Sequence, residues 1–182
     1  MKAKKMVSIS NIKIPYNALL VSNLVSQIYA GVGTPGQLLE LLAVYIVSTL
    51  PGLEVINLGL VAGGQVDVLV RNTAPLGQPL RWLDDYLLVE CKDWDYRIPE
   101  KEFGHFLTKM VLNKAKRGLI ISRRGLSGGP GYAYASRDQK IAYSQSEVVV
   151  LDITLDEIAV LSNASDLLEL LQSKYEELRF NK

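Results

Sequence analysis

The chain has 182 residues but only one cysteine, one histidine and a net charge of +1, and each shortage excludes something. Cys91 has no second cysteine to pair with, which rules out an internal disulfide and fits a reducing compartment. With His105 as the single histidine, a structural zinc site has too few soft ligands, so any metal would be a hard cation held by carboxylates. No apolar run approaches the ~20 residues that a membrane-spanning helix needs. Met1 to Met6 carries three lysines, but the apolar stretch and small-residue cleavage site of a signal peptide do not follow. The expectation is a soluble, cytoplasmic protein with no membrane partner. What is present is an ordinary globular mixture, 48% hydrophobic and 21% charged, in a length that suits one domain with its own core.

The near-zero net charge hides an uneven distribution. From Lys101 to Arg124 stand Lys101, Lys109, Lys114, Lys116, Arg117, Arg123 and Arg124, against one acid, Glu102. Such a basic stretch could meet phosphates, or it could be a solvated helix face with cations suited to the helix C-terminus.

Periodicity organises the chain. Asn17 to Ala30 has helical spacing, with Leu19, Leu20, Leu24, Val25 and Ile28 near one face; it fits an appended helix, a dimer contact or the remnant of a longer parent. Thr34 to Leu50 reads as a helix capped by Thr34, with Pro35 at its first position and Gln37 completing a capping box, and it is apolar nearly all round. Three strands follow: Leu53 to Leu60, Gln65 to Arg71 and Tyr86 to Lys92. In the second, alternation puts Val66, Val68 and Val70 on one face and Asp67, Leu69 and Arg71 on the other. A loop from about Asn72 to Asp85 separates the second strand from the third. A second helix runs from Pro99 to about Arg117 on the stripe Phe103, Phe106, Leu107, Met110 and Val111, with Gly118 as its cap. Leu119 to Ile121 and Val148 to Leu151 read as central strands covered on both faces. Between them lie a mobile connector, Gly125 to Gly131, and a short helix around Tyr132 to Ala142. Asp152 to Lys182 reads as closing helices with Leu167, Leu168, Leu170, Leu171 and Leu178 inward. The order predicts an α/β sandwich with a mixed sheet.

The chemistry concentrates at Glu90-Cys91-Lys92, the end of an otherwise apolar strand. Period-two geometry puts the Glu90 carboxylate beside the Lys92 ammonium and turns Cys91 the other way, into the core. Asp67 stands on the preceding strand, and if the two strands pair near these positions, two carboxylates and a lysine converge. Carboxylates at one spot repel unless a cation holds them. Mg²⁺ suits such oxygen ligands and leaves room for water and phosphate oxygens. Lys92 would then position or deprotonate the attacking water and offset charge as phosphorus becomes five-coordinate. Read blandly, Asp67 is a solvent-facing acid, and Glu90 with Lys92 is an ion pair contributing under ~1 kcal/mol if exposed. Glu40, the one formal charge in the first apolar helix, favours the gathered-acid reading, since a buried charge needs a partner or a purpose. It could instead only serve the helix electrostatically.

The series Glu40, Val66-Asp67-Val68, Val89-Glu90-Cys91-Lys92, a helix and the strand Gly118 to Ser122 resembles the PD-(D/E)XK nuclease superfamily. Within it the chain is most similar to Mrr-like restriction endonuclease domains, where an E-C-K is followed by a polar residue and Trp, here Asp93-Trp94. The likeness spans about Pro35 to Leu151, and it departs from the pattern in having Val66 where proline often precedes the aspartate. It implies a three-layer α/β/α sandwich with a restriction-endonuclease-like αβββαβ core at 34–152. Residues 1–33 would be an extension and residues 153–182 helices packed on the core. It implies that Asp67, Glu90 and the Cys91 backbone carbonyl hold Mg²⁺, which Mn²⁺ could replace. Lys92 would be the catalytic lysine, and Glu40 the acid that many members carry on the first helix. The implied partner is DNA, met by Lys109, Lys116, Arg123 and Arg124, with a homodimer as one way to cut both strands.

Other residues near the motif have plainer readings. His105 fits a surface histidine, and Lys109 one turn later fits either a phosphate contact or a solvated lysine. Asp93 and Asp95 crowd the site and compete for the role of ligand. The glycines of the connector lack the lysine-bearing pattern of a nucleotide-binding loop. Two rivals stand beside the nuclease: a nuclease-like domain that binds nucleic acid without cutting, and an α/β protein in which Glu90 and Lys92 form only a salt bridge.

Overall fold

A computed structural model describes residues 14–34, 36–61, 64–75, 79–128 and 135–180. They form a three-layer α/β/α sandwich around a five-stranded mixed sheet of order β1-β2-β3-β4-β5. The strands are β1 (Leu53–Val61), β2 (Gly64–Asn72), β3 (Tyr86–Lys92), β4 (Arg117–Ser122) and β5 (Val149–Thr154). β1, β2 and β3 are antiparallel neighbours, while β3, β4 and β5 run parallel. Parallel pairing needs a crossover. It is supplied by α3 (Glu100–Leu112) between β3 and β4 and by α4 (Ala135–Ser146) between β4 and β5. On the opposite face lie α1 (Ala18–Tyr29), α2 (Gln37–Ser48), α5 (Leu155–Ala159) and α6 (Ala164–Phe180).

Each face of the sheet carries its own core. Leu42, Ile46, Val68, Val89, Ile121 and Leu171 belong to the first, under α1, α2, α5 and α6. Leu88, Phe103, Phe106, Met110, Ile120 and Val150 belong to the second, under α3 and α4. β4 supplies residues to both, as its unbroken apolar run requires. Among the described residues, no helix is long and apolar enough to cross a membrane.

The predicted order holds, with several corrections. α1 is capped by the Asn17 side chain and buries Val21, Leu24, Val25 and Ile28, but Leu19 and Leu20 face solvent. α2 begins at Gln37 rather than Thr34, after Gly36 at φ 86°, and it has no side-chain capping box. Its orphan Gly36 amide is accepted at 3.1 Å by Asp93, which reaches across from the end of β3. Pro35 lies outside the described residues. α2 is apolar nearly all round, but Leu41 is exposed, so that apolar surface is not buried on every side.

α3 ends at Leu112, not near Arg117. Lys114 adopts φ 53°, the Lys114 amide bonds the Val111 carbonyl, and the Ala115 amide bonds that of Met110. These are the two bonds of a Schellman turn, built here on a lysine instead of glycine. Gly118 is therefore no cap but a residue of β4, and Val111 is exposed. The loop before β3 contains a 3₁₀ turn, Pro79–Leu83. The described part of the connector after β4 is pinned rather than loose, since Leu126 is buried and bridges Ile98. Residues 129–134 lie outside the described residues, so the helix expected from Tyr132 is described from Ala135 onward. Asp152 belongs to β5 and not to the closing helices.

In β2 the simple alternation fails. Asn57 pairs with Leu69, but Gly59 pairs with Val66, so β2 carries one residue more than β1 across Asp67 and Val68. Such a bulge re-aims side chains. Val68 and Val70 enter the first core as expected, whereas Val66 enters the second.

Candidate active site

The bulge places Asp67 where β2 and β3 stop pairing. The ladder between them runs from Arg71↔Tyr86 to Val68↔Val89, and β3 continues past it through Glu90, Cys91 and Lys92. The Cys91 amide is instead taken by the Asp67 carboxylate at 2.6 Å, which fixes that side chain at the parting of the strands. From the other side α2 packs on β2 and β3 and brings Glu40, in its first turn, toward Asp67 and Glu90. Alternation along β3 holds as predicted. Cys91 packs into the first core with its sulfur 4.0 Å from the Leu39 carbonyl, while Glu90 and Lys92 take the opposite face.

Glu90 is the most enclosed of the acids, its side chain 6% exposed. Lys92 Nζ lies 2.9 Å from its Oε1, and Lys109 Nζ, arriving from α3, lies 3.0 Å from Oε1 and 2.9 Å from Oε2. The Lys92 ammonium also sits 5.1 Å from the centre of the Trp94 ring. Lys109 is the residue that sequence reasoning undervalued. Its position three residues after Phe106 and one before Met110, both buried, sets it at the edge of the apolar stripe, and that was the available signal.

The electrostatics are those of acids forced together. Burial pushes the Asp67 carboxyl above its ordinary range, and Glu90 adds to the push. The Cys91 amide and the two lysines offset only part of it. Glu40 is likewise raised, by burial first and then by the charges of Asp67 and Glu90. The Cys91 thiol is raised well above its usual value by burial and by the same negative neighbours, so it is a packed, un-ionised group rather than a nucleophile. With all groups ionised, three acids face two lysines.

Hard oxygen donors, an excess of negative charge and raised carboxyls suit a divalent cation. The fit of a site to Mg²⁺ is good in donor type and incomplete in arrangement. Among the described residues, no three His, Cys, Asp or Glu side chains stand together as a ready cage, and Glu90 is engaged with its lysines. Asp67 and Glu90 are the side chains that would hold the ion, with Glu40 beside them.

The other candidate residues divide. Arg123 is not open to solvent for a phosphate: its guanidinium is paired with Asp93, lies 3.0 Å from Asp95, and donates to the Ile28 carbonyl at 2.7 Å. Asp93 and Asp95 are thereby accounted for as partners of Arg123 and of the α2 amide, not as ligands. Lys116 stands before β4, at the end remote from Lys92, and faces Glu147 at 3.9 Å. Arg124 is exposed just beyond β4. His105 is an exposed partner of Glu102. Compared with protein-family models, curated proteins and solved structures, the chain matches none.

Proposed function

We propose that the chain is a Mg²⁺-dependent nuclease that hydrolyses DNA phosphodiester bonds, with Mn²⁺ able to replace Mg²⁺. The observation that carries this reading is the convergence of Asp67, Glu90 and Lys92, with Glu40 alongside, where β2 and β3 part. A bound divalent ion would supply Lewis-acid stabilisation of the charge that grows on the phosphoryl oxygens. Asp67 is already oriented by the Cys91 amide, so little conformational entropy is lost when it becomes a ligand. Lys92 lies 2.9 Å from Glu90 and its charge lowers the Asp67 carboxyl, which suits it to offset charge on a pentacoordinate phosphorus or to orient water. The raised carboxyl of Glu40 suits a proton acceptor working nearer neutrality than an ordinary glutamate. The motif's resemblance supports DNA as substrate, endonucleolytic action of restriction or repair type, the Cys91 carbonyl as a further ligand and a homodimer for double-strand cutting, and the lone cysteine fits a cytoplasmic setting.

A specific observation favours a second reading, a nuclease-like domain that binds nucleic acid and does not cut. Glu90 is closed by two ammonium groups, which already supply the positive charge that an ion would bring. One experiment separates the two: incubation of supercoiled plasmid with the protein in Mg²⁺ or Mn²⁺, beside EDTA and Lys92→Ala controls. Nicked product that needs metal and disappears in the variant supports the nuclease. Salt-sensitive DNA binding without cutting supports the binding module.

A further inference from the structure

Immediately after Lys92, the segment Asp93–Arg97 divides its side chains between two tasks. Asp93 pairs with Arg123 and accepts the Gly36 amide; Asp95 meets Arg123 at 3.0 Å; Arg97 donates to the Leu126 carbonyl at 3.2 Å. The next residue, Ile98, is buried and exchanges backbone bonds of 2.9 Å with Gly125 and Ser127. With the odd-numbered side chains anchored, Trp94 and Tyr96 stack on one another, ring centres 5.2 Å apart and planes within 21°. Lys92 covers one side of the indole, and Tyr96 remains 61% exposed. Tyr96 contributes little to the core, yet the loop that presents it is tied down at both ends. Exposing a large ring on a rigid segment forgoes the stabilisation of burial, but it lowers the entropy lost when something stacks on that ring.

We propose that the Trp94–Tyr96 pair is a nucleobase-stacking shelf beside Lys92, one that selects DNA strands with an unpaired base next to the phosphate at the site. This rests on the nuclease reading and deepens it by naming the substrate class. Every base has a flat apolar face, so an open aromatic ring takes any of them, but only when the base is free of a duplex stack. Positive charge faces outward beside the shelf: Arg97, next to Tyr96, is exposed and donates to the neutral Leu126 carbonyl, and Arg124 is exposed just beyond β4, while Lys92 and Lys109 are held by Glu90. The shelf therefore favours single strands, flaps and frayed ends over continuous duplex.

Fluorescence anisotropy in EDTA, where no strand is cut, tests this with labelled single-stranded, flapped and blunt duplex DNA. The variants are Tyr96→Leu, which keeps apolar bulk without the ring, and Tyr96→Phe, which keeps the ring. The wild type is expected to bind single strands and flaps more tightly than blunt duplex. Tyr96→Leu should weaken the first two by about tenfold and leave the duplex nearly unchanged, and Tyr96→Phe should bind as the wild type. In a Trp82→Phe background, single-stranded DNA should also quench the Trp94 emission. Equal binding to all three DNAs, or a Tyr96→Leu variant with undiminished single-strand affinity, overturns the shelf while leaving the nuclease intact. A wild type that binds none of the DNAs in EDTA overturns the shelf, and one that also cuts none of them in Mg²⁺ or Mn²⁺ overturns the nuclease reading with it.

Discussion

Lys109 reaches from α3 to hold both carboxylate oxygens of Glu90, at 3.0 and 2.9 Å. The pair is largely enclosed, with side-chain exposures of 17% and 6%. Breaking a buried pair by removing one partner costs about 3–5 kcal/mol when the other is left alone. Here Lys92 remains on Glu90, so a smaller cost, roughly 1–2 kcal/mol, is expected for Lys109→Met. In EDTA that lowers the Tm by about 2–8 °C, at about 2–4 °C per kcal/mol for a domain of this size. Mn²⁺ should then raise the Tm more in the variant than in the wild type, because Glu90 is less occupied. Thermal melts with and without Mn²⁺ check both halves. An unchanged Tm together with an unchanged Mn²⁺ shift would mean that Lys109 does not hold Glu90 in solution.

The raised carboxyls of Asp67 and Glu40 give the site a pH signature. A carboxyl raised on folding binds its proton more tightly in the folded state than in the unfolded. Its ionisation therefore works against folding: the cost is complete above the folded pKa, shrinks as the pH falls, and is gone below the unfolded value near ~4. Asp67→Asn should accordingly raise the metal-free Tm at about pH 7, by roughly 2 °C, with its amide oxygen still able to accept the Cys91 amide. The gain should vanish near pH ~4, where the wild-type acid is itself protonated. Glu40→Gln should act in the same direction and less strongly, since Glu40 is the more exposed. Melts of both variants across this range decide it, and a variant destabilised at neutral pH would contradict the shift.

Arg123 and Arg124 are neighbours in sequence with opposite expected behaviour. Arg123→Ala leaves Asp93 without its guanidinium partner and removes the bond to the Ile28 carbonyl that ties α1 to the end of β4. A loss of about 2–4 kcal/mol is expected, read by urea unfolding. Because Arg123 is engaged inside the protein, the salt dependence of DNA binding should not change in the folded variant. Arg124→Ala, by contrast, should leave stability within about 0.5 kcal/mol and reduce the slope of log K against log salt by about one. A slope altered by Arg123→Ala alone would place the phosphate contact at Arg123.

Where local pattern decided the structure, the sequence was legible. Tyr86–Lys92 alternates between two cores, and both its bounds and the facing of Glu90, Cys91 and Lys92 came from period-two geometry. Partners distant in the chain were less legible. The bulge at Asp67 depends on how β1 pairs with β2, so nothing in Val66-Asp67-Val68 announced that Val66 would change faces. The α2 terminus is satisfied by Asp93, 57 residues away, which defeated a capping rule that looks only at neighbours. α3 ends short of Arg117 because Lys114 takes the left-handed conformation usually assigned to glycine, while the true glycine, Gly118, serves another purpose.

That purpose yields a last prediction. A Cβ built on Gly118 would meet Met110 Sδ and Phe106 Cε1 at 2.8 Å, so the missing side chain is what lets α3 lie close against β4. Gly118→Ala should cost about 1–3 kcal/mol by overpacking. The displacement also has a direction. Phe106 and Met110 flank Lys109, so moving α3 off the sheet withdraws the ammonium from Glu90. If the helix moves as a unit, Gly118→Ala should resemble Lys109→Met in showing an enlarged Mn²⁺ shift, although no charge has been altered. Gly118→Ala combined with Phe106→Leu, which trims the obstructing ring, should bring that shift back toward the wild type. A Gly118→Ala protein with lowered Tm but a wild-type Mn²⁺ shift would show that the strain is absorbed by the Phe106 and Met110 side chains, leaving Lys109 on Glu90.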